Sequence, residues 1–194
     1  MKIKIYVLAM LLISTIFIAQ KRIGINGKFQ GDNFLLVYAA MKELGIDKKT
    51  IKNGLLKVKW PGRFEIFNRD PLVILDGAHN EDSSLKLVEN LKSISDKEDV
   101  CFLTSILEDK DIGKILKNFS NVADKIVYTS LKDYHRGLGA KEMYDRDIYF
   151  DNRKYYENMV EAYNEAKKSK IVVVAGSFYL LCEFRRVIES ENRL

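Results

Sequence analysis

Asp76-Gly77-Ala78-His79-Asn80 follows the apolar run Leu72-Val73-Ile74-Leu75. A short apolar run that ends in a polar, glycine-containing turn is how an α/β protein presents side chains at the carboxyl end of a strand, where ligands of open sheets bind. There a carboxylate such as Asp76 can accept hydrogen bonds from ribose hydroxyls. His79 can hold an anionic substrate or orient a reacting amine. Arg63, just after Pro61-Gly62, brings a planar fork of donors suited to phosphate. Lys110, in Asp109-Lys110-Asp111, can neutralise developing phosphate or carboxylate charge. Gly176-Ser177 stands between an apolar run and a helical pattern, an anion-friendly turn. Each residue also has a structural reading. Asp76 and Asn80 then bond only to backbone and His79 is incidental. Arg63 is a surface strand residue, Asp111 caps a helix beside a solvated Lys110, and Ser177 is an N-cap.

These residues need elements to hold them. From residue 63 onward apolar runs alternate with helical periodicity. The spacing predicts a strand pair, Arg63–Phe67 and Leu72–Leu75, around the turn Asn68-Arg69-Asp70-Pro71. It predicts further strands at Val100–Ile106, Lys125–Thr129, Asp147–Phe150 and Ile171–Ala175. Helices are expected at Ser83–Leu91, Ile112–Phe119, Ala140–Tyr144, Tyr155–Lys167 and Ser177–Ile188. Strands separated by helices imply a parallel, doubly wound sheet. Upstream, residues 31–58 read as two helices, the first capped by Asp32 and closed by Gly45.

Composition excludes several classes. Hydrophobic residues are 47% and charged residues 30%, so the chain can build a core and carries no signature of disorder. The net charge of +5 is spread along the sequence without an aromatic–basic nucleic-acid motif, so no nucleic-acid partner is expected. It still favours anionic small molecules. Cys101 and Cys182 read as buried free thiols, and the two histidines, His79 and His135, cannot make a histidine-rich metal site. The apolar residues 5–19 fall short of the roughly 20 that a spanning helix needs. They fit a signal peptide, an anchor, a buried segment or leftover sequence at a truncated gene start.

Taken together, Trp60-Pro61-Gly62-Arg63-Phe64-Glu65 and Asp76-Gly77-Ala78-His79-Asn80 resemble the start of the C-terminal domain of folylpolyglutamate and dihydrofolate synthases, members of the Mur ligase superfamily. Asp109-Lys110-Asp111 and Gly176-Ser177-Phe178-Tyr179-Leu180 are similar to later segments of the same family. Gln30-Gly31-Asp32-Asn33 matches its Gly-x-His-Gln-x-x-Asn, with Phe29 in place of the His. The resemblance covers roughly residues 27–189. It implies an α/β fold, a Rossmann-like, mostly parallel sheet with helices on both faces. The expected domains are residues 1–22 as an apolar segment, 23–60 as the helical end of a central ATPase domain, and 61–194 as the glutamate ligase domain.

By the resemblance, Asn33, Arg63 and Asp76 contact ATP, His79 and Ser177 lie near the incoming L-glutamate, and His79 and Lys110 serve catalysis. The implied reaction joins glutamate to a reduced folate or dihydropteroate through an acyl phosphate, with Mg2+ held mostly by a part of the family enzyme that this chain lacks. Gly24-Ile25-Asn26-Gly27-Lys28 is similar to the family's phosphate loop, but Phe29 and Gln30 follow where a working loop needs small, hydroxyl-bearing residues. The isolated chain is therefore expected to be inactive and cytoplasmic, with a separate ATPase fragment as partner. The alternatives are one subunit of a split ligase, or a non-catalytic binding module anchored through residues 5–19.

Overall fold

Ile171–Ala175, four β-branched residues and an alanine buried on both faces, forms strand β6 at the interior of a six-stranded sheet. Such runs belong to central parallel strands covered by helices on each side. The computed structural model describes residues 28–57, 60–131, 134 and 136–191. It divides into two compact units between Pro61 and Gly62.

The first unit holds α1 (Lys28–Glu43) and α2 (Lys48–Lys57). Gly45, at φ 77°, closes α1 as expected. Its amide donates to the Lys42 carbonyl, and that of Ile46 to the Met41 carbonyl, at 3.0 Å each, the paired bonds of a Schellman ending. Asp47 starts α2 by accepting from the amides of Lys49 and Thr50. Asp32 does not cap α1. The helix begins at Lys28 and runs through Gly31, since one interior glycine costs only about 1 kcal/mol. Residues 1–27 lie outside the described residues. The apolar segment 5–19 and residues 24–27 fall within that stretch. No helix among the described residues is long and apolar enough to cross a membrane.

The second unit is the α/β sheet. Its strands are β1 (Glu65–Arg69), β2 (Leu72–Leu75), β3 (Val100–Thr104), β4 (Lys125–Thr129), β5 (Asn152–Tyr156) and β6, in the order β1-β2-β6-β3-β4-β5. Only β1 is antiparallel. The expected Rossmann-like, mostly parallel architecture is present. Helices α3 (Glu81–Leu91), α4 (Ile112–Phe119) and α5 (Ala140–Arg146) cover one face, packing Leu87, Leu116 and Met143 on Ile74, Phe102, Ile126 and Val173. Helices α6 (Met159–Ala166) and α7 (Phe178–Glu191) cover the other, packing Ala162, Tyr163, Leu180 and Phe184 on Val73, Leu103, Val127 and Val174. The alternation along each strand sends neighbouring side chains to opposite cores.

Three local expectations are corrected. β1 starts at Glu65 and not at Arg63, because Gly62 and Phe64 adopt φ 71° and 45°, outside the strand region. Asp147–Phe150 is a turn: the Asp147 carboxylate accepts from the Tyr149 and Phe150 amides, and the strand follows at β5. The next helix begins at Met159 and not at Tyr155, where the Asn158 side chain caps it through the Val160 and Glu161 amides.

Of the two cysteines, Cys101 is buried, its thiol pushed up to about 12 by desolvation. Cys182 is exposed. It sits on the face of α7 opposite Leu180, Leu181 and Phe184, which take the core.

Glu165 on α6 joins strand to helix. It accepts from Lys154 at 2.8 Å, Lys168 at 2.7 Å and the Tyr156 hydroxyl at 3.2 Å. The lysine hydrogen bonds come first in holding its carboxyl down to about 2, from 4.5. A depressed carboxyl stabilises the fold above its unfolded value and loses that contribution as pH falls. Glu165→Gln is therefore expected to cost about 1 kcal/mol at pH 7, the upper range for ion pairs with exposed partners. The gap from wild type should close between pH 4.5 and 2 in urea titrations. A gap constant with pH would contradict this.

Candidate functional site at the carboxyl edge of the sheet

β2 leads into α3 on one face and its neighbour β6 leads into α7 on the other. Chains that part in this way leave a crevice outside the strand ends, where open α/β sheets bind ligands. Asp76 follows β2 and Ser177 follows β6, so both stand at this switch point. The two loops are joined directly: the Gly176 amide donates to the Ala78 carbonyl at 2.9 Å, and the Asp76 amide to the Val174 carbonyl at 3.0 Å.

Asp76 ties the segment before β1 to the loop after β2. Its Oδ2 accepts from the Phe64 amide at 2.8 Å and its Oδ1 from the Ala78 amide at 2.9 Å. The Gly77 amide adds a bond to the Gly62 carbonyl at 2.8 Å. Burial raises the Asp76 carboxyl above its usual value, opposed by the two amide bonds and by the charges of Arg63 and His79. Each carboxylate oxygen keeps a lone pair for a further donor. Glu65 holds the Pro-Gly turn from below, accepting from the Gly62 amide at 2.7 Å and pairing with Arg185 of α7.

His79 Nδ1 lies 2.7 Å from the Gly77 carbonyl. A carbonyl only accepts, so Nδ1 carries a proton, and in the neutral ring Nε2 keeps a lone pair. Asn80 caps α3: its Oδ1 accepts from the Ser83 amide at 2.9 Å, and Ser83 Oγ accepts from the Asn80 amide. Asn118 of α4 donates to Ser84 Oγ and to the Glu81 carbonyl, anchoring the same helix start.

Ser177 is buried and caps α7, its Oγ accepting from the Leu180 amide at 3.1 Å. The hydroxyl proton stays available to an acceptor. Lys110 lies beyond β3, with β6 between it and Asp76. It pairs with Asp109 at 2.6 Å and is less exposed than its partner. Asp111 caps α4 through the Lys114 amide. Asn33 falls inside α1 in the other unit, and the side chains of residues 28–35 lie outside the described ones.

The sequence reading missed two residues here. Arg136 shares Asp109 with Lys110 at 3.4 Å, brought there by the Leu107–Gly137 bridge. No signal in the sequence links these two loops. Phe178 packs among Gly62, Arg63, Gly77 and His79. Its signal was present, an aromatic directly after Gly-Ser at a helix start. Among the described residues no three His, Cys, Asp or Glu side chains gather to hold a metal ion. The described residues do not fit a magnesium site.

Residues 62–178 match the family described as Mur ligase, glutamate ligase domain. The dihydrofolate synthase/folylpolyglutamate synthase of Bacillus subtilis is 31% identical over 175 residues, covering 85% of this chain and 40% of that protein. Escherichia coli FolC, solved in complex with DHPP and ADP, superposes with a TM-score of 0.72 at 27% identity, covering 82% of this chain and 39% of that one. Folylpolyglutamate synthase from Thermotoga maritima gives a TM-score of 0.73 at 28% identity, with 86% and 40% covered. The chain thus spans less than half the length of these relatives.

Proposed function

The chain belongs to the Mur ligase family through its glutamate ligase domain, and from that premise we propose that it is the C-terminal part of an ATP-dependent folate–glutamate ligase. In this reading residues 61–194 form the glutamate ligase domain and residues 23–60 the helical end of a central ATPase domain. ATP phosphorylates the carboxylate of a reduced folate or dihydropteroate, the amine of L-glutamate attacks the acyl phosphate, and phosphate leaves. The observation that carries the reading is the bond from the Gly176 amide to the Ala78 carbonyl, which welds the Asp76–His79 loop to the Ser177 turn at one switch point.

Each residue then has a task its geometry allows. Arg63 supplies a phosphate-directed fork beside Asp76, and Asp76 accepts a ribose hydroxyl with the lone pairs its two amide bonds leave. His79, with Nδ1 committed to Gly77, offers Nε2 to the glutamate ammonium and can take up its proton as the amine attacks. The Ser177 hydroxyl donates to a glutamate carboxylate. Lys110 neutralises charge that develops on the acyl phosphate. Asn33 keeps the nucleotide contact that the family resemblance implies. ATP consumption favours a cytoplasmic setting.

The 194 residues contain no sequence fit to be a phosphate loop, so this chain by itself is expected not to hydrolyse ATP or ligate glutamate. An ATPase fragment that carries the loop, added in trans, should restore ligation, because the proposed site needs both halves. In that mixture His79→Ala should lower turnover by about 100-fold or more, the scale of a lost proton-transfer group. Glutamate incorporation followed by chromatography measures it. Ligation restored but indifferent to His79 and Asp76 would refute the reading, as would glutamate ligation by the chain alone.

A further inference from the structure

Phe178 is the first residue of α7 and a large apolar side chain that remains 39% exposed. Its ring rests on a floor of two glycines. A Cβ on Gly77 would come within 2.2 Å of the ring, and one on Gly62 within 3.3 Å. The two glycines are themselves hydrogen-bonded at 2.8 Å. Above this floor the Arg63 guanidinium carbon stands 4.9 Å from the ring centroid. His79 tilts against the ring at 6.1 Å between centroids. The backbone of Phe178 is itself held, by the Ser177 cap on one side and by the Gly176–Ala78 bond on the other.

We propose that Phe178 is a positioning residue for Arg63: its ring, seated on Gly62 and Gly77, holds the guanidinium in the orientation that meets the nucleotide. A guanidinium over an aromatic face is attracted by the ring quadrupole. A long arginine side chain otherwise spreads over many rotamers, so a preferred stacked state removes part of the ordering that binding requires. The role is specific to a ring. Filling the space over Gly62 and Gly77 could be met by any aliphatic side chain, but stacking could not. This inference rests on the nucleotide role given to Arg63 above.

The test uses the full chain and two readouts. Without ligand, the Arg63 Nε–Hε signal in 1H–15N spectra should be shifted upfield by the ring. It should return toward the free-arginine position in Phe178→Leu and stay shifted in Phe178→Trp. Phe178→Met is the second ring-free variant should the leucine variant fail to fold. In the same spectra, titration with ADP should show binding about three- to fivefold weaker in the ring-free variant. Phe178→Trp should restore it, and Phe178→Leu should cause no further loss in an Arg63→Ala background. An Arg63 signal indifferent to Phe178 overturns the seat. Equal weakening with and without Arg63 overturns positioning, since Phe178 would then touch the nucleotide itself. Wild type that ignores ADP, with the ring shift intact, overturns the nucleotide reading of Arg63 and the positioning role with it.

Discussion

Gly176→Ala is expected to cost about 3 kcal/mol or more of folding stability. Gly176 sits at φ 131°, a region that residues with a Cβ enter only at about 1–3 kcal/mol. Its Cβ would also lie 2.5 Å from Thr104 Oγ1 and 2.6 Å from the Ser105 carbonyl oxygen. Neither neighbour is free to move. Thr104 Oγ1 donates to the Ala175 carbonyl, and the Ser105 carbonyl belongs to the chain leaving β3, the strand paired with β6. Crowding into a packed interior adds about 1–3 kcal/mol. Gly139→Ala in the same unit is the control, because a Cβ there meets nothing within 4 Å. Urea titration should separate the two variants clearly. A Gly176→Ala midpoint equal to that of Gly139→Ala would show that the turn after β6 relaxes freely.

Asp76→Ala should cost a similar amount, for a different reason. It strips the acceptor from two amides at once, those of Phe64 and Ala78, and bonds to a charged acceptor are worth about 1.5–3 kcal/mol each. Phe64 holds φ 45° and its side chain is buried, so its amide cannot turn toward water without moving a core ring. Asp76→Asn should fall between, because one amide oxygen can serve one of the two donors while its NH2 opposes the other. Hydrogen exchange gives the residue-level check. Protection of the Phe64 and Ala78 amides should collapse in Asp76→Ala while the amides of β3 keep theirs. Unchanged protection would mean that Asp76 ties nothing together, and its loss of ligand contact would be the whole effect.

These two sites explain how the local reading of the sequence stood. Ile112–Phe119, Lys125–Thr129 and Ile171–Ala175 emerged with the expected bounds, because apolar periodicity over several residues is the strongest local signal. Two departures fall where a side chain bonds to nearby backbone. Asp147 turns a stretch read as a strand, and Asn158 delays a helix read as starting at Tyr155. Asx turns and caps of this kind compete with regular structure and have no periodicity to betray them.

For the site, residue types and their spacing are enough to show which chemistry is on offer: a carboxylate, an imidazole, a guanidinium, a lysine and a hydroxyl, each beside a strand end or turn. They also determined that apolar runs would alternate with helices into a mostly parallel sheet. Tertiary structure alone decided which of these groups share a place. β6 is last in sequence yet lies between β2 and β3, so Ser177 lands beside the Asp76 loop although the two stand far apart in the sequence. The same crossing leaves Lys110 one strand further off and gives it Arg136 through Asp109. Strand order is set by which helices bury which faces, a property of long-range packing that no local window contains. Gly77 shows the consequence at one atom: in the sequence it is a turn residue, and in the fold it is the space that the Phe178 ring fills.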